Sequence, residues 1–235
     1  MHYYHSQYCS EICHGQHLTT PSEEISRDWI ASTNIDIKKE IAIIVAMSNN
    51  KEIAVYPATE MLFDPVLNLL DYQISPAELP QNILEEAKHI ALQLVKSFDS
   101  PGLFAIEMFV DNNNKVWVNE TAPRVHNSGH HTIEANYCSQ YDMLLRVMLN
   151  YPLGNTASIL PSSIVNILGE EGYSGAAKYE GLNEVLGMKN TFVHLYGKMQ
   201  TKPGRKMGHV TIMDQDRNDL IEKVHTVKKN LKVIS

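Results

Sequence analysis

Two apolar runs, residues 103–110 (LFAIEMFV) and 115–120 (KVWVNE), flank the four turn-forming residues Asp111, Asn112, Asn113 and Asn114. Such a pattern folds as an antiparallel hairpin. Within it, Glu107 interrupts one strand and Glu120 ends the other. With Asp111 to Asn114 as the loop, Val110 faces Lys115, Glu107 faces Val118 and Glu120 faces Ala105. Side chains at 105, 107 and 109 then share a face with those at 116, 118 and 120. Both carboxylates point the same way. Diagonal neighbours on one sheet face lie about 7 to 8 Å apart at Cα, a gap that one or two divalent cations close. Magnesium favours hard oxygen ligands and bridges carboxylates to substrate phosphates, so a nucleoside triphosphate site follows from the residues themselves. A solvated sheet face is the plain alternative.

The chain around this hairpin reads as α+β. Residues 1–37 form a leader without a sustained apolar period, and they hold Cys9, Cys13, His14 and His17. These are zinc-ligand residue types, but the C-x3-C-H-x2-H spacing is not a usual finger pattern. From Glu40 a β-branched run, EIAIIVAMS, reads as a buried strand with a hairpin partner in IAVYP. Apolar residues Ile83, Leu84, Ala87, Ile90, Ala91, Leu94, Val95 and Phe98 recur at steps of three and four, which predicts an amphipathic helix. A second helix is predicted from Gln140 to Asn150, and a third, DLIEKVHTVKKNL, closes the chain. Between the last two, SIVNILGE, FVHLYGK and GHVTIMD read as short strands of a small β-rich unit. The expected division is therefore a leader 1–37, an antiparallel sheet with helices over 38–155, and a β-rich domain over 156–235. Met143, Met148, Met188, Met199, Met207 and Met213 read as core filling.

A net charge of -7 argues against a nucleic-acid surface. No apolar run is long enough to span a bilayer and no signal peptide opens the chain, so a cytoplasmic protein is expected. Three cysteines, Cys9, Cys13 and Cys138, do not make a disulfide framework.

Directly after Glu120 come Arg124, His126, Asn127, Ser128, His130 and His131, a polar loop at a strand end, where sites are built. Arg124 can hold an anion by paired hydrogen bonds, and His126 with Asn127 can orient a small acid or a ring amine. Lys198, Lys202, Arg205 and Lys206 form a dense cationic cluster in an acidic chain. A substrate phosphate suits it, as does a solvated basic turn.

At NETAPRVHNSGHHTIE the chain resembles the ATP-grasp superfamily. With AIEMF before that segment and YGKMQTKPGRKMGH after it, the resemblance is to the 5-(carboxyamino)imidazole ribonucleotide synthase family. The fold it implies is the ATP-grasp C-terminal subdomain followed by a small β-rich C-terminal domain. The activity it implies is ATP- and bicarbonate-dependent carboxylation of 5-aminoimidazole ribonucleotide in purine biosynthesis, in a homodimer. Glu107 and Glu120 would hold Mg2+ on ATP, with Glu40 and Asn119 also at the nucleotide. Arg124, His126, Asn127 and Lys198 would be catalytic, and Lys198, Lys202, Arg205 and Lys206 would bind substrate. Complete members begin with a Gly-rich domain and a lid, so this chain is expected to show little ligase activity alone. Another ATP-grasp ligase, or a non-catalytic nucleotide-binding or assembly module, are the competing readings.

Overall fold

A computed structural model describes residues 35–63 and 70–235. Cys9, Cys13, His14 and His17 lie outside the described residues. The long predicted helix is α1 (Gln81–Phe98), and it buries Ile83, Ala87, Ile90, Ala91, Leu94 and Val95, the stripe read from the sequence. Its last turn ends at Asp99, which takes the left-handed conformation at φ 48°. Phe98, read as part of the stripe, is instead exposed.

The strands are β1 (Ile37–Met47), β2 (Ile53–Val55), β3 (Thr59–Phe63), β4 (Leu70–Ser75), β5 (Gly102–Asp111), β6 (Val116–Ala122), β7 (Ser162–Leu168), β8 (Gly175–Ala176), β9 (Lys178–Glu180), β10 (Thr191–Leu195), β11 (Gln200–Thr201), β12 (Lys206–Met213) and β13 (Lys232–Ile234). The further helices are α2 (Thr132–Ala135), α3 (Gln140–Met148), α4 (Leu182–Leu186) and α5 (Arg217–Asn230). One antiparallel sheet runs β10-β12-β7-β4-β3-β1-β5-β6, with β2 paired to β1. Because β7 pairs with β4, this sheet continues across the division expected near residue 155.

Strand alternation sorts the side chains to two faces. On one face, Ile41, Ile43 and Val45 of β1 and Ile106, Met108 and Val110 of β5 pack on α1. Farther along the same face, Ile74, Val165, Val210 and Ile212 pack on Leu220, Val224 and Val227 of α5. The opposite face packs Ile44, Ala46, Leu103 and Ala105 on Met143 and Val147 of α3. Asp216 caps α5 by accepting from the backbone N–H of Asn218 and Asp219. Ser139 caps α3 in the same way from Asp142.

The hairpin register differs from the one inferred from the sequence. Val110 faces Val116, Met108 faces Val118, and Glu107 faces Glu120 directly. Two local features cause this. Asp111 closes the turn with its own carboxylate, which accepts from the backbone N–H of Asn113 and Lys115 and from Trp117 Nε1, and Asn114 takes a positive φ of 63°. That lengthens the connection by one residue. A bulge between the Glu107 and Met108 pairings then inserts a second residue, Asn119. The two offsets restore the parity beyond the bulge, so the carboxylates share a face as expected. Val116 and Val118, expected on that face, instead enter the α1 core.

The methionines also need correction. Met143, Met207 and Met213 are buried, whereas Met148 and Met199 are 70% and 83% exposed. α3 ends at Met148, so the predicted continuation to Asn150 leaves the helix and Met148 turns outward. No helix among the described residues is long and apolar enough to cross a membrane.

Candidate functional site

The register of the sheet places Glu107 opposite Ala42, and Glu40, two residues earlier on β1, opposite Phe109. The same row continues from Glu40 to Met61 on β3, Gln73 on β4, Ile164 on β7 and Thr211 on β12. The polar loop after β6 lies over this row. Gln73 Nε2 donates to the carbonyls of Asn127 and Ser128, at 3.2 and 3.1 Å. Gln140, fully buried at the start of α3, holds the loop from the other side. Its Oε1 accepts from His126 N–H at 2.9 Å, and its Nε2 donates to His126 O at 2.8 Å and approaches His130 Nδ1 at 3.0 Å. Gly129 is required by this close approach, since a Cβ there would stand 2.2 Å from Ile44 Cδ1 and 2.7 Å from Gln140 Oε1.

The loop carries His126 to the carboxylates. One donor atom from each of Glu107, Glu120 and His126 lies within 4.8 Å of the others, with His126 Nε2 at 3.5 Å from Glu107 Oε1. His126 Nδ1 is 3.0 Å from Ser128 Oγ, which orients the ring. Burial, then the charges of Glu120 and Glu40, push the Glu107 carboxyl up to about 7, while Lys206 and Arg124 oppose the rise. Burial raises Glu40 to about 7 as well. Two carboxylates facing each other in a half-buried place, one of them reluctant to ionise, are a donor set that fits a hard divalent cation. Burial, then the nearby Arg124 charge, lowers the pKa of His126 below the usual imidazole range, which keeps the ring neutral.

The raised carboxyl pKa values carry a sign. A folded pKa near 7 against an ordinary value of 4.5 means that the folded chain binds the extra protons. That contribution to stability is complete below about pH 4.5 and is lost as the pH rises through about 7. A divalent cation has to displace those protons at pH 6 but not at pH 8. Added MgCl2 is therefore expected to raise the melting temperature by several degrees at pH 8 and scarcely at pH 6, measured by scanning fluorimetry. An equal shift at both pH values would remove Glu107 from the cation site.

Of the cationic cluster, Lys206 is the member whose charge is felt at Glu107 and His126. Burial lowers its pKa while the charge of Glu107 opposes the fall. Lys198 Nζ donates to the Lys206 carbonyl and so stands beside it. Arg205 donates to Gln200 O at 2.9 Å, and Lys202 is exposed, as Lys206 is. Among the described residues, no hydrogen bond or ion pair links any of the four cations to Glu107 or Glu120. Arg124 is exposed, with Nη1 donating to Val125 O. Asn127 Nδ2 meets no acceptor among the described residues. Asn119 is the bulged residue beside Glu120.

Sequence reasoning missed Gln73, Gln140, His194 and His209. His209 faces His194 across β12 and β10, and their rings stack with centroids 4.5 Å apart. Burial drives His209 down to about 3 and His130 to about 4, so both rings are neutral. A histidine alternating with apolar residues in GHVTIMD was the available signal, but only the strand pairing shows what it meets.

The model for the ATP-grasp domain matches residues 9–141, a span that contains the carboxylate hairpin and the loop over it. The chain belongs to the ATP-grasp family. The match begins inside the stretch set apart above as a leader. A second model, for the phosphoribosylaminoimidazole carboxylase C-terminal domain, matches residues 162–223. The ATP-grasp chain is similar to N5-carboxyaminoimidazole ribonucleotide synthase of Bacillus subtilis, at 35% identity over 190 residues, 81% of this chain and 48% of the relative. It is 40% identical to the synthase of Aquifex aeolicus over 156 residues, 66% of this chain and 40% of that one. Among solved structures, that of the Thermotoga maritima synthetase matches with a TM-score of 0.81 at 42% identity, covering 87% of this chain and 54% of that one. An Aspergillus clavatus synthase in complex with ADP and 5-aminoimidazole ribonucleotide matches at 0.75 and 30%, covering 85% and 53%. The chain thus spans about half the length of the relatives it matches.

Proposed function

We propose that this chain supplies the metal and substrate side of an ATP- and bicarbonate-dependent carboxylation of 5-aminoimidazole ribonucleotide. The observation that carries the reading is the direct pairing of Glu107 with Glu120, with His126 on one side. Similarity to enzymes named for this product, one of them in complex with ADP and the ribonucleotide, supports the choice of substrate.

In this reading Glu107 and Glu120 hold Mg2+, which when bound would neutralise charge on the ATP phosphates. Glu40 contacts the nucleotide sugar and Asn119 lies beside the phosphates. Arg124, His126 and Asn127 gather bicarbonate and the imidazole substrate, with Asn127 Nδ2 free to donate. A bicarbonate oxygen attacks the γ-phosphorus and ADP leaves. The carboxyphosphate then breaks into carbon dioxide and phosphate, and the substrate amine attacks the carbon and gives up a proton. Lys198 and Lys206 offer fixed positive charge to the developing anions, and Lys202 with Arg205 completes the set for the ribonucleotide phosphate. A cytoplasmic location and a homodimer belong to the same proposal. The exposed Tyr137, Tyr141, Leu145 and Met148 at and beside α3 give the dimer an apolar face. A division into two units near residue 155 is also proposed, supported by the gap between the two family matches.

Calorimetric titration of the chain tests the reading. Mg2+ with ATP, and separately 5-aminoimidazole ribonucleotide, are both expected to bind. Binding of the nucleotide alone would favour a different ATP-grasp ligase, and binding of neither a non-catalytic module.

A further inference from the structure

The loop after β6 reaches β12 although the sheet alone would hold β5 and β12 apart. Strands β7, β4, β3 and β1 lie between β12 and β5. Five inter-strand steps of about 4.8 Å would separate the two by roughly 24 Å in a flat sheet. That loop instead crosses the sheet face, with the carbonyls of Asn127 and Ser128 on Gln73 of β4 and His130 on His209 of β12. Something must hold the loop across that span.

A column of rings spans the gap. His130, from the loop after β6, packs on His209 of β12 with ring centroids 5.0 Å apart. His209 stacks on His194 of β10 at 4.5 Å and 14°. Tyr141 of α3 covers the outer side of His130 at 5.9 Å, and its hydroxyl lies 3.1 Å from His130 Nδ1. Tyr196 hydroxyl lies 3.0 Å from His209 Nδ1. At the other end, His194 Nε2 is 2.7 Å from Glu134 Oε1 of α2. His130, Glu134 and Tyr141 thus come from the carboxylate side of the chain, and His194, Tyr196 and His209 from the lysine side. Burial keeps His130 and His209 neutral, so these two rings pack without mutual repulsion. His209 stands three residues along β12 from Lys206, so whatever fixes the ring fixes the base of the lysine.

We propose that the His130–His209–His194 column is the closure that holds the loop after β6, with His126 on it, against β12 and β10, with His209 as its central positioning residue. The closure itself stands on geometry. Only its consequence for substrate rests on the reading of Lys206 as a phosphate ligand.

Hydrogen exchange by mass spectrometry on the full chain, with calorimetry alongside, tests it. In His209→Ala, amides of 126–135 and 206–210 are expected to exchange at least about tenfold faster while α1 is unchanged. His209→Phe, which keeps a ring without its nitrogens, is expected to stay within about threefold of wild type. The ribonucleotide should bind at least about tenfold more weakly to the alanine variant and near normally to the phenylalanine one, with Mn2+ affinity at the carboxylates unchanged in both. If His209→Ala does not fold, His194→Ala, at the part-exposed end of the column, should give the same pattern at smaller size. Unchanged exchange of 126–135 in the alanine variant, or failure of phenylalanine to restore it, would overturn the closure. Absence of ribonucleotide binding by the wild type would defeat the functional reading instead, and the exchange result would still decide the closure.

Discussion

Replacing Glu107 by glutamine is expected to weaken Mg2+-dependent nucleotide binding at least about 100-fold while leaving the fold intact. The size follows from what the substitution removes. Glu107 is one of two carboxylates facing each other across β5 and β6, and its partner Glu120 cannot enclose a cation alone. The fold should survive because the Glu107 side chain is only 18% exposed and already holds its proton near neutrality. A neutral amide of the same shape removes a repulsion rather than a support, so the melting temperature without metal should stay level or rise. Calorimetry with Mg2+ and ATP, beside a thermal scan, separates the two effects. Wild-type affinity in the glutamine variant would show that the cation sits elsewhere.

Gln140→Ala is expected to be among the most destabilising single changes in the chain, by roughly 3 kcal/mol. The His126 N–H loses its partner, while the His126 carbonyl and His130 Nδ1 each lose one of two and keep the Gly129 N–H and the Tyr141 hydroxyl; the buried amide also leaves a space behind. Each sits in a part-buried place that water reaches poorly, and each uncompensated group costs about 1 to 3 kcal/mol. Some of that returns if a water molecule enters the space left by the amide. Urea unfolding measures the total. A loss below about 0.5 kcal/mol would mean that the loop over the site is held by Gln73 and the sheet instead.

What the sequence conveyed, and what it did not, follows from the range of each interaction. α1 was legible to within a residue because its stripe is a local property of Ile83 to Val95. The carboxylate pair was legible because a hairpin brings near neighbours together. Its register was not, since the capping carboxylate of Asp111 and the bulge at Asn119 each move the pairing by one residue without leaving a compositional mark. Lys206 could be named from its neighbours in a cationic loop, yet separating it from Lys202 and Arg205 needs the path of β12. The ring column was invisible for the same reason. His194 and His209 acquire a purpose only once β10, β12 and the loop after β6 meet. Gln140 looked like an ordinary first residue of a helix, and nothing local announces that its amide serves a loop fourteen positions earlier.

The pairing of β4 with β7 also bears on how the chain comes to be folded. Ser163 Oγ donates to the Gln73 carbonyl across 90 residues of sequence. On the ribosome, β4 emerges long before its neighbour exists, and until then its outer N–H and C=O groups form an open edge able to recruit other nascent strands. Contacts of such high separation form late. Pausing or truncation after the hairpin is translated would therefore leave an aggregation-prone intermediate whose protection depends on chaperones and on prompt synthesis of the remaining strands.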